Sequence, residues 1–440
     1  MADRKELYRF AVVLFAFSTL AVSVMAHTGW GEYIEGQVGR SVLFYARHLL
    51  GQDPTLDPRL KIFAYDDRTA VEAESHDFTL RTWTAFFRKL SEQKPKAIII
   101  DKVFGFPMGK SYAEDFVAAK ADLAPLYAGS FFLDKPIASR ENLASHFATR
   151  DQAPVQFANQ ADYDQFFKDA KAYPHVYGPA ASIRDGFTGV GHLAITGYAT
   201  TFPLVKIGGS GLLPHISLFA ADSVRVQDGS LFIDGIETPI ESAEPIMANL
   251  TTAETFRERT ISISYLRYQE GIDHLAENIG PEDIILVLPL MYSGNVDWKD
   301  TPVGKIQGGY IIAAMINSVL TGQWMKTYSN LTMFVLLSAL LGSLLGLYSR
   351  LNLFWLLFHA AVISGIGATI FLFAYMTTAV PWVHTLLAFS LPAVLIFERR
   401  SSLKKSQAAA LKDALEGVIP TTKVDELLNN PKPFRTDASE

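Results

Sequence analysis

The chain has 440 residues, a formal net charge of −6 and no cysteine. The missing thiols exclude a disulfide framework, thiolate metal centres and a cysteine nucleophile. The mild charge, with no basic stripe, argues against nucleic acid as a partner. A mean hydropathy of +0.16 is high for a soluble protein, and long charge-free runs account for the excess.

Residues 1–9 carry Arg4, Lys5 and Arg9 and precede a run, 10–31, without Asp, Glu, Lys or Arg. About 20 apolar residues cross a bilayer, and the positive-inside rule keeps such a basic N-terminus cytoplasmic. The segment "VSVMA" also suits signal-peptide cleavage. The run continues to Trp30 and Tyr33, which favour an interface, so residues 10–27 are expected to form an uncleaved anchor.

Residues 28–330 are then one large outer domain. "RLKIFAYDD" (59–67) reads as a strand ending in acids. "LRTWTAFFRKLSEQ" (80–93) places Leu80, Trp83, Phe86, Phe87 and Leu90 at helical spacings. "PKAIIID" (95–101) lacks alternation, as a strand covered on both faces does. Strand, helix and strand predict a right-handed parallel crossover. Both strands would end on one sheet edge, bringing Asp66 or Asp67 close to Asp101 and Lys102. Open parallel sheets bind ligands at that edge. Residues 110–185 are polar, aromatic-rich and less regular. "LPHISLFAA" (213–221) reads as helical, and Asp228-Gly229 joins two short alternating strands in a hairpin. "ISISYLRY" (261–268) and "EDIILVLPL" (282–290) are further strands, and a helix over 308–324 opens on Gly308 and Gly309. The fold class expected is α/β, a mixed and partly parallel sheet with a βαβ unit, plus four transmembrane helices.

The last three spans are expected at 331–348, 353–375 and 381–397, with a turn at "MTTAVPW" where Pro381 disfavours helix for its predecessor. Arg350 lies in the short loop between the first two, and "ERRSSLKK" opens a tail, 398–440. Three passes from outside to inside make that basic tail cytoplasmic, as the charge rule requires. His359 and His384, inside or beside the spans, are expected to be neutral and bonded to neighbouring helices, although ionisable groups in lipid are also where function concentrates.

Asp66, Arg81, Asp101 and Lys102 form the main candidate cluster. One reading is a polar pocket in which Arg81 or Lys102 holds an anion; the other is an ion-pair network, with Asp101 paired to Arg81, that fixes strand ends to the helix. Thr301, Gly308 and Gly309 lie in "TPVGKIQGG", where glycines could let backbone amides approach an anion at a helix start or form a tight turn. The absent Gly-Lys-Ser/Thr excludes a P-loop. "FTGVGHL" is not a dinucleotide fingerprint, and His192 and His215 are too distant in sequence to imply a metal pair. No catalytic residue, cofactor or metal is indicated.

"IFAYDD", Arg81, "PKAIIIDKVF", "PHISLFAA", "EDIILVLPL" and "DTPVGKIQGGYIIAAMINSVLTG" occur in an order that resembles the second type of CHASE domain, a periplasmic sensory module of bacterial receptors. Asp300-Thr301-Pro302, Gly308-Gly309, Ala314 and Asn317 are its most specific part. The resemblance covers roughly residues 28–397. "HDFTLR" lacks the family's usual proline ahead of the arginine. The resemblance implies an inner-membrane, multi-pass receptor whose three spans lead to a cytoplasmic output: a class III nucleotide cyclase, a kinase or a phosphodiesterase. The tail, with "VIPTTKVDELLNNP", is similar to the linker before a class III cyclase domain, of which the catalytic core is absent from these residues. A sensor whose output domain was removed, a sensor-only adaptor and the regulatory half of an adenylate or guanylate cyclase all remain open. The ligand is not implied. Ala408, Leu411, Leu415 and Val418 share a helix face suited to a short parallel coiled coil or to the inner leaflet, and the resemblance favours a homodimer.

Overall fold

The computed structural model describes residues 2–74, 77–105, 110–133, 135–136, 155–195, 199–207, 211–241, 243–264, 279–291, 297–327 and 330–415. The helices used below are α1 (Ala2–Ala26), α2 (Arg40–Leu49), α3 (Asp67–Glu72), α4 (Leu80–Ser91), α5 (Gly308–Thr321), α6 (Leu331–Tyr348), α7 (Phe354–Met376) and α8 (Trp382–Leu415). The strands are β1 (Leu60–Asp66), β2 (Ala97–Ile100), β3 (Leu126–Leu133), β4 (His175–Tyr177), β5 (Gly189–His192), β6 (Thr260–Ser262) and β7 (Ile284–Leu290). Two compact units result: one of residues 36–327 with 370–380, the other of 1–35, 328–369 and 381–440.

In the first unit a seven-stranded mixed sheet runs β6-β1-β7-β2-β3-β4, with β5 also on β3. β1, β7, β2 and β3 are parallel neighbours, and β4 is antiparallel to β3. The Ala-Ile-Ile-Ile run of β2 and the first five residues of β7 are buried, as strands covered on both faces must be. One face packs on α4 through Trp83, Phe87 and Leu90 together with Phe63, Ile98, Ile100 and Val287. Helix α4 begins where Thr79 accepts the amide of Thr82, a capping bond worth about 1 kcal/mol.

The expected crossover differs in one respect. β1 and β2 are parallel and end on one edge, but β7 lies between them. Adjacent strands stand about 4.8 Å apart, so Asp66 and Asp101 are two strand spacings apart and do not meet. The hairpin at Asp228-Gly229 forms as expected, with both residues at positive φ, the backbone of a type I′ turn. Residues 211–214 are a strand and 216–220 a 3-10 turn, shorter than the helix expected at 213–221. The strand expected at 261–268 ends at Ser262, and 265–268 lie outside the described residues.

Among the described residues four helices are long and apolar enough to cross a membrane: α1 from Lys5, α6, α7 and α8. They coincide with the spans expected at 10–27, 331–348, 353–375 and 381–397, except that α8 continues past the basic flank to Leu415. In the second unit α1, α6 and α8 pack through Val22, Val335, Ala339 and Ala388. Gly342 and Gly346 bring α6 against the backbone of α8: a Cβ on Gly342 would stand 2.0 Å from the Phe389 carbonyl oxygen, and one on Gly346 2.7 Å from that of Ala393. Without water to expel between helices, such close backbone contact is what joins membrane helices. α7 keeps most of its middle exposed, and a Cβ on Gly365 would meet nothing within 4 Å. Gly342→Ala is therefore expected to destabilise the protein by roughly 1–3 kcal/mol through overpacking, and Gly365→Ala to leave stability unchanged or slightly raised. Thermal melts of the two variants in one detergent check this; equal shifts would remove the close contact from the account.

Candidate functional site

The carboxyl edge of the sheet holds the predicted cluster, but divides it. Successive residues of an extended strand point to opposite faces, so Asp101 and Lys102, adjacent after β2, serve different surroundings. Lys102 reaches Asp77, with Nζ 2.5 Å from Oδ2, and its ammonium lies 5.5 Å from the Phe104 ring centroid. Asp77 also accepts the Trp83 indole N–H at 3.1 Å. Lys102, Asp77 and Trp83, with Tyr65, Pro289 and Met291, line a cleft of about 40 Å³. That volume suits one or two waters or a small ion, since a water occupies about 30 Å³ of liquid and drug-sized ligands need roughly 300 Å³ or more.

Asp66 plays a structural part. Its Oδ1 accepts the Thr69 amide at 2.9 Å, the Thr69 hydroxyl at 2.6 Å and the Ser262 hydroxyl at 2.9 Å. It thereby caps α3 and ties the end of β6 to the end of β1. Arg81 is exposed on α4 and is not paired with Asp101; the expected ion pair is absent because the helix turns Arg81 away from the apolar face that seats on the sheet. Thr301 donates its hydroxyl to the Gly304 carbonyl at 2.6 Å and closes the turn between the strands Trp298–Thr301 and Gly304–Gln307.

On the other face Asp101 points at the start of α5. A Cβ on Gly309 would stand 3.0 Å from Asp101 Oδ2, and one on Gly308 2.2 Å from Asp297 Oδ2. The two glycines therefore clear space for two carboxylates at a helix N-terminus, where the helix dipole favours negative charge. Lys299 pairs with Asp297 at 2.7 Å. Burial pushes the Asp101 carboxyl up to about 7, the Asp297 charge adds to the rise and Lys299 opposes it. This pair was not legible beforehand, because Asp297 lies outside the elements that the hydrophobic pattern reveals.

Arg47 is a second cluster that the periodicity of α2 concealed. It occupies the buried face with Leu43 and Phe44 and is 1 % exposed. Nη1 donates to Asn249 Oδ1 at 2.8 Å, Nη2 donates to the Leu250 carbonyl, and Asp53 lies 3.7 Å from Nε. The guanidinium carbon is 4.7 Å from the Phe44 centroid and 5.3 Å from that of Phe373. Burial lowers its pKa to about 10, opposed by Asp53, so it stays charged at neutral pH. An arginine in step with an apolar stripe was the available signal.

His192 and His215 do come together. A bridge between their backbones sets the rings in a T-shape, centroids 5.1 Å apart, with Phe132 5.2 Å from His192. Burial holds His215 down at about 3; burial and then His215 hold His192 well below the usual imidazole range, against the Phe202 backbone. Both are neutral core residues. Among the described residues no group of three His, Asp or Glu is placed to hold a metal ion. In the helical unit His384 does have a partner: Glu35 Oε2 lies 2.9 Å from its Nδ1 and accepts the amides of Val383 and His384, capping α8. His359 bonds only within its own helix, Nδ1 lying 2.6 Å from the Trp355 carbonyl.

The chain matches no family model, no curated protein and no solved structure.

The carboxyl of Asp101 ionises at 3.8 ordinarily and at about 7 in the fold. Between these values the unfolded chain has lost the proton and the folded chain retains it, so this group makes stability fall as pH rises from about 4 to about 7. Below that window it has no effect. Asp101→Asn is expected to raise the melting temperature at pH 8 and to flatten the decline over the window. Melts of the two proteins at pH 4 to 8 check this; parallel curves would show that Asp101 is not held protonated.

Proposed function

We propose that the chain is the sensory and transmembrane part of a signal-transduction receptor of a bacterial inner membrane. Both termini are cytoplasmic, and residues 28–330 face outward to detect a cue that remains to be identified. The reading rests above all on the unbroken course of α8. Its 34 residues span about 51 Å at 1.5 Å per residue, against a hydrocarbon core of about 30 Å. Some 20 Å of helix therefore continues past Arg399 and Arg400; Pro392 within the span removes one backbone hydrogen bond there, and beyond it the helix runs on to Leu415, so a displacement of the span's last turns is carried into the tail.

Two features of the outer unit supply the input end. Lys326–Thr327, where the chain leaves the outer fold, pairs in parallel with Thr378–Ala379, where α7 has just ended. Arg47 joins α2 to Asn249 and Leu250 and lies against Phe373 of α7. The resemblance to CHASE-type receptors supports the same direction of signal and suggests a homodimer with a cytoplasmic output of the nucleotide-cyclase class. At the sheet edge, Lys102 with Asp77 and Asp101 with Asp297 are where a small polar cue or a proton would act.

Reporter fusions after Lys110 and after Lys405 test the topology. Activity of an exported reporter at the first and of a cytoplasmic reporter at the second is expected; the reverse at either position refutes the receptor. The dimer has its own check. Single cysteines at Leu411 and at Asp413, in a chain with none of its own, are expected to crosslink quickly at the first and slowly at the second. Equal rates would remove the tail seam. Val418, the last member of that stripe, lies outside the described residues.

A further inference from the structure

Helix α2 has two apolar faces. One holds Leu43, Phe44 and Arg47 against the outer unit. The opposite face carries Tyr45 and Leu49, with Val42 and, one turn earlier, Val38; these four are 65, 67, 43 and 51 % exposed. Val42, Tyr45 and Leu49, at spacings of three and four residues, share one stripe of α2, and Val38 precedes them in the π-helical turn Ile34–Gly39. No described element covers it. A soluble surface scatters its exposed apolar side chains singly, so a helical stripe of four calls for an occupant.

The position of α2 indicates which occupant. Phe44 makes an edge-to-face contact with Phe373 of α7, centroids 4.9 Å apart. Phe373 is three residues before the end of α7, about 4.5 Å along a helix that rises 1.5 Å per residue, and α7 is a candidate membrane span. Exposed Phe371 and Tyr375 belong to the same turns of α7, and tyrosine concentrates at membrane interfaces. α2 therefore crosses α7 a few ångströms inside the end of its apolar stretch. Interfacial amphipathic helices bury their apolar face about 5–10 Å into the headgroup boundary. His48, 2.5 Å from Asp53, flanks the stripe as a polar border.

We infer that α2 is an interfacial helix whose Val38, Val42, Tyr45 and Leu49 stripe docks on the lipid of the outer leaflet, continuous with the lipid-facing surface of α7. Its opposite face carries Arg47, so lipid packing bears on the same element that holds Asn249 and Leu250. The inference rests on reading α7 as a membrane span, and its test separates the two.

Single cysteines at Tyr45, Leu49, His48 and Leu356 of the full chain are labelled with a nitroxide in phosphatidylcholine nanodiscs. Collision with oxygen, which partitions into lipid, is compared with collision with a water-soluble nickel chelate. The oxygen-to-nickel ratio is expected to be severalfold higher at Tyr45→Cys and Leu49→Cys than at His48→Cys, and higher still at Leu356→Cys, whose native leucine is 67 % exposed on α7. A high ratio at Leu356→Cys with ratios at 45 and 49 no greater than at 48 overturns the docking and leaves the membrane span standing. A low ratio at Leu356→Cys overturns the span itself. Spin–spin broadening at labelled Tyr45→Cys, with rapid disulfide formation between copies of the unlabelled variant, overturns lipid in favour of a second copy of the chain.

Discussion

Among the described residues of the larger unit, one arginine, Arg47, is fully buried and ties distant segments together. Taking a guanidinium out of water costs several kcal/mol even after relaxation, and the cost is offset only if its donors and its flat faces are all used. Arg47 comes close to that. Asn249 and the Leu250 carbonyl take its two terminal nitrogens, Asp53 supplies charge at 3.7 Å, and Phe44 and Phe373 flank it. A lysine could not take its place, because one ammonium cannot fork to two acceptors and stack as well. The requirement is geometric, so it fixes three pieces of chain at once: the entry helix α2, the Asn249–Leu250 segment and the outer turns of α7. Were α2 or the Asn249–Leu250 segment displaced, a charge and a buried acceptor would lose their partners; were α7 displaced, the guanidinium would lose one of its two flanking rings.

The sheet edge obeys a different economy. Asp66 is consumed in capping α3, and Lys102 is largely neutralised by Asp77. Asp101 is left near a like charge with no hydrogen bond to a described side chain. The glycines of α5 do not cradle an external anion; they admit the protein's own carboxylates to the helix start. An acid brought there by packing, raised by burial and by Asp297, is poised to exchange a proton near neutrality, while the neighbouring cleft has room only for water or a small ion.

Most of the architecture was legible because its signals are local. Bilayer length and flanking charge locate the four apolar helices, although the first begins five residues earlier than expected and the last runs on to Leu415, and branched runs such as Ala97–Ile100 show buried strands. The interleaving of β7 between β1 and β2 was not legible, since strand order is set by contacts far apart in sequence. The same limit applies to the site. The partners of Lys102 and Asp101 are Asp77 and Asp297, in segments with no periodic pattern, whereas Arg81 lay in a clear helix and was the obvious but mistaken candidate. His192 and His215, 23 positions apart, meet only because a backbone bridge brings them together. Arg47 was hidden for the opposite reason: it lies in a helix that reads as ordinary, and burial distinguishes it; Glu35 lies in the π-helical turn Ile34–Gly39, which no periodic pattern announces.

One helix is shared between the two units. The turns of α7 from Ile370 onward group with the outer unit, and its earlier turns group with the helical unit, so one covalent helix belongs to both. A helix is stiff along its axis, and α7 has few neighbours along its middle to hold it in place. By contrast α6 and α8 are locked backbone to backbone at Gly342 and Gly346. α7 meets α8 through the stacked rings of Phe354 and Phe397, 3.8 Å apart, with Trp355 beside Phe397 and Phe358 stacked on Phe389. Phe397 lies on α8 just before the basic flank, so the closest of these ring pairs lies at the end of the apolar stretch from which α8 continues to Leu415.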